Sequence, residues 1–421
     1  MTVAAARQRI AIALRTPPQP PAPAPEARGR QLPDLALQTI WYEQRISRAD
    51  LSRRLDVSRS TASQLVNELL ATELVAEVGS GPSRGGRRPV LLEFQDDARL
   101  ILGVDMGATH VAVALTNLRG RILAWNEKMH PVRSDPEGTR ELIEQLCEAC
   151  LAEVPGAARA LQGIGVAVPA PVDHMDPMQL SPIVLPAWGG HSGLESLETR
   201  FRVPVYVEND ANLGAMAEGW WGAGRGLEDF TYIKLATGIG AGLMVGGEIS
   251  RGVSSAAGEI GHVSIDPNGE PCLCGNRGCL VTFVGGEALV RRAQAGLADA
   301  PDSLLARGEV TPGTIEQAAL AGDRLAVSVV REAAHHLGVA IAGLLNLLNP
   351  GAVILGGSLV RLGNDLLRPL RATVVQRTLV SSVAASEIRI SELGPRGTSL
   401  GAATMVLAEA LRHTSSSDGT R

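Results

Sequence analysis

Residues 100–116 read LILGVDMGATHVAVALT and consist of two apolar runs separated by a short turn that contains glycine. Apolar runs of this length and composition predict two neighbouring strands. Strand-like and helical runs continue to alternate along the chain, and this alternation predicts an α/β fold. The further runs are strand-like at 121–127, 163–171 and 203–210, form a hairpin at 227–247, and are helical at 137–153.

The turn between the first two strands carries Asp105, Gly107 and Thr109. Gly107 permits a tight turn whose backbone N–H groups face a phosphate, and Thr109 is a candidate donor to a phosphate oxygen. Asp105 is a candidate to hold a hydrated magnesium ion. An ordinary hairpin turn is the alternative. A second glycine-rich loop at 236–242, ATGIGAG, favours phosphate binding because its glycines also open the backbone toward a ligand.

Polar residues follow the strand at 203–207, where residues 208–212 read ENDAN. The ends of parallel strands are where α/β sheets bind ligands. Asp210 is therefore a candidate general base for a hydroxyl group that attacks a phosphoryl group. An Asx turn that caps the next helix is an equally open interpretation of this segment.

One imidazole and three thiols lie close together in the sequence, and they match a closed tetrahedral zinc site of the Cys₃His type. Four protein ligands leave no open position for water, so the predicted role of the zinc is structural. A reduced cysteine-rich loop is the alternative. Cys147 and Cys150 have zinc-like spacing, but they fall on the apolar face of a helix and are predicted core residues. The predicted ligands are His262, Cys272, Cys274 and Cys279.

Residues 35–70 have helical periodicity, and Ser47 and Ser58 are candidate N-caps of two short helices joined by a tight turn. Two short helices so arranged form a helix-turn-helix. The second helix begins with small polar side chains and an arginine, which are residue types that reach phosphates and base edges. The predicted DNA-contacting residues of this helix are Ser58, Arg59, Ser60, Thr61, Ser63 and Gln64.

Two strand-like runs follow, at 74–78 and 90–94, and the segment between them contains Arg84, Arg87 and Arg88. This pattern predicts a basic hairpin tip, or wing, that follows a DNA backbone or enters the minor groove. A small helical domain with a flexible loop is the alternative. The capped helices, the turn and the basic wing occur together, which favours a winged helix-turn-helix.

Charge is distributed unevenly along the 421-residue chain, whose formal net charge is −5. Residues 1–95 contain 13 arginines, no lysine and 9 acidic residues, whereas the rest of the chain is acidic. A basic N-terminal region on an acidic body indicates a nucleic-acid-binding module joined to a second unit. Residues 16–34 are dominated by proline and alanine and predict a disordered or polyproline-like arm.

The composition also favours a cellular location. Three of the five cysteines crowd into residues 272–279, which is unlike a disulfide framework, so we expect a reducing, cytoplasmic compartment. The chain has no run of 18 or more apolar residues, which argues against a membrane-spanning helix. Its first twenty residues lack the order of a secretory signal.

Six motifs in a fixed order resemble those of the ROK family (repressors, open reading frames, kinases), and in particular its transcriptional regulators. The resemblance covers about residues 35–410. The motifs are the helix-turn-helix with GGRRP at 85–89, DMGAT at 105–109, VENDAN at 207–212, TGIGAG at 237–242, GEIGH at 258–262 and CLCGNRGC at 272–279.

The resemblance implies an actin-like, sugar-kinase (RNase H-like) α/β fold with two lobes around a cleft, preceded by the winged DNA-binding domain. The first lobe would comprise about residues 96–212 plus the C-terminal helix, and the second about residues 213–395. The implied division of the chain is an arm at 1–34, a DNA-binding domain at 35–95, a kinase-like domain at 96–412 and a disordered tail at 413–421.

The family pattern also implies roles for residues in the cleft. Asp210 corresponds to the catalytic base of kinase members, and His262 to a residue that serves both zinc and sugar. The sugar-contacting positions are Asn209, Asp210, Glu259 and His262. The nucleotide-phosphate positions are Asp105, Gly107, Thr109, Thr237, Gly238, Gly240, Gly356 and Gly357.

Three departures from the family pattern concern sugar recognition. Val281 stands where the cysteine motif usually continues with a sugar-contacting glutamate. Ala170 replaces the glycine of the usual Pro-Gly-Pro. Residues 173–187 lack the glycine turn and the asparagine of many sugar-binding members. These departures weaken the expectation of typical hexose recognition more than the expectation of the fold.

These observations predict a DNA-binding transcriptional regulator of the ROK family that controls carbohydrate-related genes in response to a sugar or sugar derivative bound in the kinase-like cleft. We expect an inverted-repeat operator in double-stranded DNA, a homodimer or homotetramer, structural Zn²⁺ and no membrane. One alternative is a sugar kinase that uses ATP–Mg²⁺ and carries an accessory DNA-binding domain, although we expect kinase activity to be at most a side activity. The other alternative is a regulator whose degenerate cleft binds no sugar.

Overall fold

The computed structural model describes residues 32–81, 88–173, 175–379 and 386–412. The predicted C-terminal tail and residues 1–31 of the predicted arm lie outside these ranges. The arm as predicted extends three residues too far, because the first helix, α1, begins at Leu32. Pro33 is compatible with a first turn, where its missing N–H would have no helical partner, and Asp34 places negative charge near the positive end of the helix dipole.

The N-terminal unit, which we call the head, contains three helices and a three-stranded antiparallel sheet in the order β1-β3-β2. Ser47 and Ser58 are the N-caps of α2 and α3, as predicted, because their side chains accept the backbone N–H groups of Asp50 and Thr61, each at 3.1 Å. The short strand β1 is absent from the sequence prediction. The elements are α1 (Leu32–Glu43), β1 (Arg45–Ser47), α2 (Arg48–Arg54), α3 (Arg59–Ala71), β2 (Val75–Ser80) and β3 (Val90–Phe94).

The first lobe is built on a five-stranded sheet in the order β6-β5-β4-β7-β8. Strands β4, β7 and β8 run parallel, and β5 and β6 extend the sheet as antiparallel neighbours. Every residue of β4 is buried, which explains why its sequence is apolar apart from Asp105. The elements are β4 (Leu100–Met106), β5 (His110–Asn117), β6 (Ile122–Met129), α4 (Pro136–Glu153), α5 (Ala157–Ala160), β7 (Leu161–Val168), α6 (Ser196–Phe201) and β8 (Val205–Asn209).

The second lobe is built on a five-stranded sheet in the order β11-β10-β9-β12-β13. Five helices of this lobe cover one face of the sheet and form its main core. The strands are β9 (Phe230–Leu235), β10 (Ile239–Val245), β11 (Glu248–Ile249), β12 (Ala352–Gly357) and β13 (Glu387–Ile390). The helices are α8 (Val281–Val284), α9 (Gly286–Gly296), α10 (Pro312–Leu320), α11 (Arg324–Leu348) and α12 (Asn364–Arg377).

Two helices join the lobes: α7 (Asp210–Trp221) and α13 (Gly397–Ala410). Helix α13 packs on β4 and β7 of the first lobe, and α7 packs between α13 and the strands β9 and β10 of the second. Glycines make this backbone-to-backbone packing possible. A Cβ atom on Gly165 would lie 2.0 Å from the carbonyl oxygen of Ala402, and one on Gly401 would lie 1.9 Å from that of Leu213.

Helix α11 is long and apolar enough to cross a membrane by length and composition alone. However, 56% of its most apolar window is buried inside the protein, where residues such as Leu337 and Ile341 contribute to the core of the second lobe. This burial identifies α11 as a core helix.

We expect Gly401→Ala to lower the thermal unfolding midpoint, because the added methyl group overlaps the backbone of α7 and must push the two shared helices apart. Overpacking of this kind costs about 1–3 kcal/mol or more. Gly343→Ala in α11 is the matched control, since its Cβ would meet nothing within 4 Å. Alanine at that position favours the helix by about 1 kcal/mol. Equal midpoints for the two variants by circular dichroism would contradict this view of the α7–α13 contact.

Candidate functional site

Three charged side chains meet where the two lobes and α7 converge. Asp105 lies near the end of β4, Lys234 lies in β9, and Asp210 is the first residue of α7. The Lys234 Nζ atom is 2.8 Å from Asp210 Oδ2 and 3.6 Å from Asp105 Oδ1. The side chain of Lys234 is only 12% exposed, so this ion-pair cluster is largely shielded from water.

The cluster favours the charged forms of Asp105 and Lys234. Burial alone would raise the pKa of Asp105, but the nearby Lys234 and His110 outweigh it and the pKa is lowered. Burial likewise disfavours the ammonium of Lys234, but Asp105 and Asp210 raise its pKa well above the usual range. The Nε2 atom of His110 is 3.5 Å from Asp105 Oδ2, which raises the pKa of that imidazole against the effect of burial.

Asn209 caps α7, which bears out the helix-cap interpretation of this segment. Its Oδ1 atom accepts the backbone N–H groups of Ala211 and Asn212 at 2.9 and 3.2 Å, and its amide donates to the carbonyl oxygen of Ala170 at 3.1 Å. The side chain of Asp210 instead turns to Lys234. The alanine of the Pro-Ala-Pro segment therefore contributes its backbone to the placement of Asn209.

A second ion pair, in which the carboxylate is buried and the arginine half-buried, crosses between the lobes. Glu208, at the end of β8, accepts from Arg251 Nε at 2.7 Å, and Arg251 follows β11 in the second lobe. The same carboxylate accepts the backbone N–H of Asn209 at 2.8 Å and the amide of Asn212 at 3.1 Å. Glu208 thus fixes the start of α7 to both lobes.

The glycine-rich segment at 236–242 is partly strand rather than loop, which corrects the sequence prediction. Gly240 lies in β10, paired with Lys234 of β9. The glycines of β10 are required by packing against α7, because a Cβ at Gly242 would lie 2.4 Å from the carbonyl oxygen of Ala211. Only the turn residues, Thr237 and Gly238 among them, stay off the strands, and a Cβ at Gly238 would meet nothing within 4 Å.

Several other residues predicted for nucleotide and sugar binding lie on or next to the elements that carry this cluster. Gly356, in β12, pairs with Lys234 from the opposite side, and Gly357 ends that strand with a φ of +93°. Burial and the charge of Asp210 raise the pKa of Glu259. Two further predicted residues lie in the β4–β5 turn, Gly107 against the His110 ring and Thr109 exposed to solvent.

The side chains of His262, Cys272, Cys274 and Cys279 come together into a group that could hold a metal ion. Their donor atoms all lie within 4.8 Å of one another. The Cys274 and Cys279 sulfurs are 3.6 Å apart, close to the separation of about 3.8 Å that two thiolates on one tetrahedral ion would have. Burial opposes ionisation of Cys274, yet hydrogen bonds from the Asn276 backbone and the neighbouring thiols lower its pKa to about 7.

This cluster also supports the cleft. Cys279 leads directly into α8, which begins at Val281, and the next helix, α9, begins at Gly286. The backbone N–H of Gly286 donates to the carbonyl oxygen of Thr237 at 3.2 Å. A metal ion at the four side chains would therefore stabilise the turn between β9 and β10.

The candidate DNA surface is the polar face of α3. Arg59, Ser60 and Gln64 are exposed, while the opposite face of the helix is buried in the head. Ser58 caps the helix, and Thr61 and Ser63 are half-buried beside it. In the wing, Arg88 is exposed, whereas Arg84 and Arg87 lie outside the described residues.

The ROK family pattern matches residues 101–409. The chain belongs to the ROK family. A putative xylose repressor from Caldicellulosiruptor sp. (strain Rt8B.4) is 34% identical over 90% of this chain and 95% of its own length. The resemblance inferred from the motifs is thus confirmed.

Two solved structures match this chain over different lengths, one over nearly the whole chain and the other over about three quarters of it. A ROK family transcriptional regulator, a homolog of the E. coli MLC protein, matches with a TM-score of 0.76 and 24% identity over 91% of this chain and 96% of its own. A ROK family glucokinase from Streptomyces griseus in complex with glucose and AMPPNP matches with a TM-score of 0.62 and 31% identity, over 73% of this chain and 98% of its own. The actin-like fold with two lobes is confirmed.

Sequence reasoning missed three charged residues of this ROK cleft: Lys234, Arg251 and His110. Lys234 is one of only two lysines in the chain, and it interrupts the otherwise apolar strand FTYIKL. A lone lysine in a buried strand signals a compensating carboxylate, because a buried charge without a partner is costly. Arg251 carries no comparable local signal.

We expect Cys272→Ser to reduce the metal content of the purified protein and to lower its thermal midpoint by several degrees, because one of four donors is lost. Metal content is measured by inductively coupled plasma mass spectrometry. Leu273→Ser is the control, since this neighbouring side chain is exposed and donates to nothing in the group. Unchanged metal content in Cys272→Ser would contradict the assignment of the four ligands.

Proposed function

We propose that this chain, a DNA-binding transcriptional regulator of the ROK family, controls carbohydrate-related genes by binding an inverted-repeat operator and responding to a sugar or sugar derivative in its cleft. The observation that carries the proposal is the path of α7. This helix begins at Asp210 in the cleft and ends at Trp221 against the head. Its 12 residues span about 18 Å at 1.5 Å per residue.

Three tryptophans form the contact between α7 and the head. The ring centroid of Trp41, in α1, lies 5.4 Å from that of Trp220 and 6.2 Å from that of Trp221. The indole N–H of Trp41 also donates to the carbonyl oxygen of Leu118 at 2.9 Å. Such aromatic pairs contribute about 0.5–1.5 kcal/mol beyond the area they bury.

Arg119 strengthens the same contact from the first lobe. Its guanidinium donates to the backbone carbonyl of Trp41 at 2.8 Å and lies 4.5 Å above the Trp41 ring. It is held in place by Asp96, the partner of its other nitrogens. The head is thus packed against α7 and the first lobe rather than joined by a flexible linker. A movement of α7 would therefore displace the DNA-binding helices.

The chemistry of the cleft suits a polyhydroxylated ligand. The Asn209 amide adjoins Asp210 in the chain, and the Asp210 carboxylate lies close enough to Glu259 to raise its pKa. Amides donate to and accept from hydroxyls, and carboxylates accept from them. The relative named a xylose repressor supports a monosaccharide as the effector class. Val281 contributes no polar group at the position where a glutamate is usual, so we expect recognition to differ from that of hexoses.

The proposal includes zinc as the ion of the Cys₃His group, because three thiols and one imidazole are a typical donor set for structural zinc. It also includes a homodimer or homotetramer in the cytoplasm, since an inverted-repeat operator requires two recognition helices related by two-fold symmetry. The unpaired state of the five cysteines supports a reducing compartment.

The test of the proposal begins with selecting binding sites from random DNA, followed by fluorescence anisotropy on the enriched inverted repeat. We expect Arg59→Ala to weaken binding roughly tenfold, since an arginine that contacts a base contributes about 1–3 kcal/mol. Arg159→Ala, an exposed arginine on the first lobe, is the control with the same change in charge. No enrichment of any inverted repeat, or equal loss in both variants, would contradict DNA binding through α3.

A panel of monosaccharides and their derivatives then tests the cleft by calorimetric titration. In the intact protein, the sugar that binds should change DNA affinity, typically by about 5–150-fold. We expect Trp41→Leu to reduce this factor toward one while sugar binding persists, because the contact with α7 is broken. Trp125→Leu, in β6, is the matched control. Absence of heat with every sugar would favour the degenerate-cleft alternative.

A further inference from the structure

The charges at the convergence of the lobes do not suit a metal–nucleotide complex. Asp105 is the candidate magnesium-binding residue and Asp210 the candidate base, yet one buried ammonium group already contacts both carboxylates. Magnesium takes carboxylate oxygens at about 2.0–2.1 Å. A divalent ion bound to either carboxylate would therefore lie beside the positive charge of Lys234.

We propose that the Lys234 ammonium takes the place of a metal ion between Asp105 and Asp210, so that the cleft binds its ligand without a metal–nucleotide complex and transfers no phosphoryl group. The inference goes beyond the proposed regulatory function and concerns the cleft alone. It holds whether or not the head binds DNA.

The position of Lys234 in the sheet favours this arrangement. Gly240 and Gly356 are its paired neighbours on the strands at either side, and β9 is a central strand of its sheet. The backbone of Lys234 is therefore fixed by hydrogen bonds on both edges. Withdrawing its side chain would leave the carboxylates of Asp105 and Asp210 close together in a shielded site with only His110 beside Asp105, which would be unfavourable.

The same contact engages the candidate base. A general base needs a free oxygen lone pair within reach of the substrate hydroxyl. The Oδ2 atom of Asp210 accepts a hydrogen bond from Lys234 at 2.8 Å. The lone pair that faces Lys234 is therefore not available to a substrate hydroxyl.

The test uses Mn²⁺ as a paramagnetic substitute for Mg²⁺, with binding to the full-length protein followed by electron paramagnetic resonance. We expect Lys234→Met to acquire one saturable Mn²⁺ site, bound at least about tenfold more tightly than any site of the wild type. Adding Asp105→Asn should abolish that site. Lys128→Met is the matched control, because Lys128 is the only other lysine and is exposed on β6.

Thermal unfolding gives a second readout. Removing the ammonium should lower the midpoint of Lys234→Met, and millimolar Mg²⁺ should restore part of the loss, since a bound ion stabilises the folded state. The wild type and Lys128→Met should not respond. Failure of Lys234→Met to gain any Mn²⁺ site would overturn the proposal.

The wild type provides an independent test that needs no variant in the cluster. It should yield no phosphorylated product from the sugar panel with ATP and Mg²⁺, as detected by mass spectrometry, and should bind sugar equally with and without Mg²⁺–AMPPNP. A product that disappears in Asp210→Asn, or a wild-type Mn²⁺ site that disappears in Asp105→Asn, would also overturn the proposal.

Discussion

The ion-pair cluster of Asp105, Lys234 and Asp210 is the interaction on which the cleft depends. Two carboxylates held close together in a shielded site repel each other and resist joint ionisation unless a positive charge lies between them. Here the charge comes from β9 of the second lobe, while Asp105 belongs to the first lobe and Asp210 begins the shared helix. The attraction between the Lys234 ammonium and the two carboxylates therefore holds β4, β9 and α7 together. The pair of Glu208 and Arg251 repeats this arrangement with one partner in each lobe.

These bridges matter because α7 starts from them. Its first turn is fixed by the Asn209 cap and by the contact of Asp210 with Lys234, and its backbone lies against Gly242 of β10 and Gly401 of α13. Packing this close leaves little room for a gradual deformation, and packed interfaces of this kind tend to move between discrete arrangements. A ligand that alters the contacts of Asn209 or Asp210 would therefore move α7 as a rigid helix.

Much of this architecture could be predicted from local sequence. The existence of β4 and the two serine caps of the head follow from an apolar run and from capping chemistry, both of which are local signals. The strand β1 could not be predicted, because its three residues are defined only by pairing with β3 far along the chain. The glycines at 240 and 242 have a packing role that the sequence does not show, since a Cβ at either position would press against Ala211 of α7.

The residues of the site likewise divide into those with a local sequence signal and those that only the fold brings together. The four donors of the metal group lie close together in the sequence, so their spacing alone predicts that group. The partners of Asp105 and Asp210 come from strands that meet only in the folded chain, and Arg251 reaches Glu208 across the cleft. Pairing between lobes has no local signature, apart from the presence of Lys234 in an apolar strand.

The coupling free energy between cleft and head needs to equal only a few of the contacts that the head, α7 and α13 make with one another. A coupling of about 1–3 kcal/mol is typical of allosteric proteins. One hydrogen bond contributes about 1 kcal/mol, and an aromatic pair a similar amount. Trp221 donates to Thr404 of α13 at 2.7 Å, and Gln38 of α1 donates to Leu411, just beyond α13, at 3.2 Å. The head thus contacts the ends of both shared helices. The orientation of the head therefore depends on the relative positions of α7 and α13. Both lobes pack on these helices and so determine those positions together.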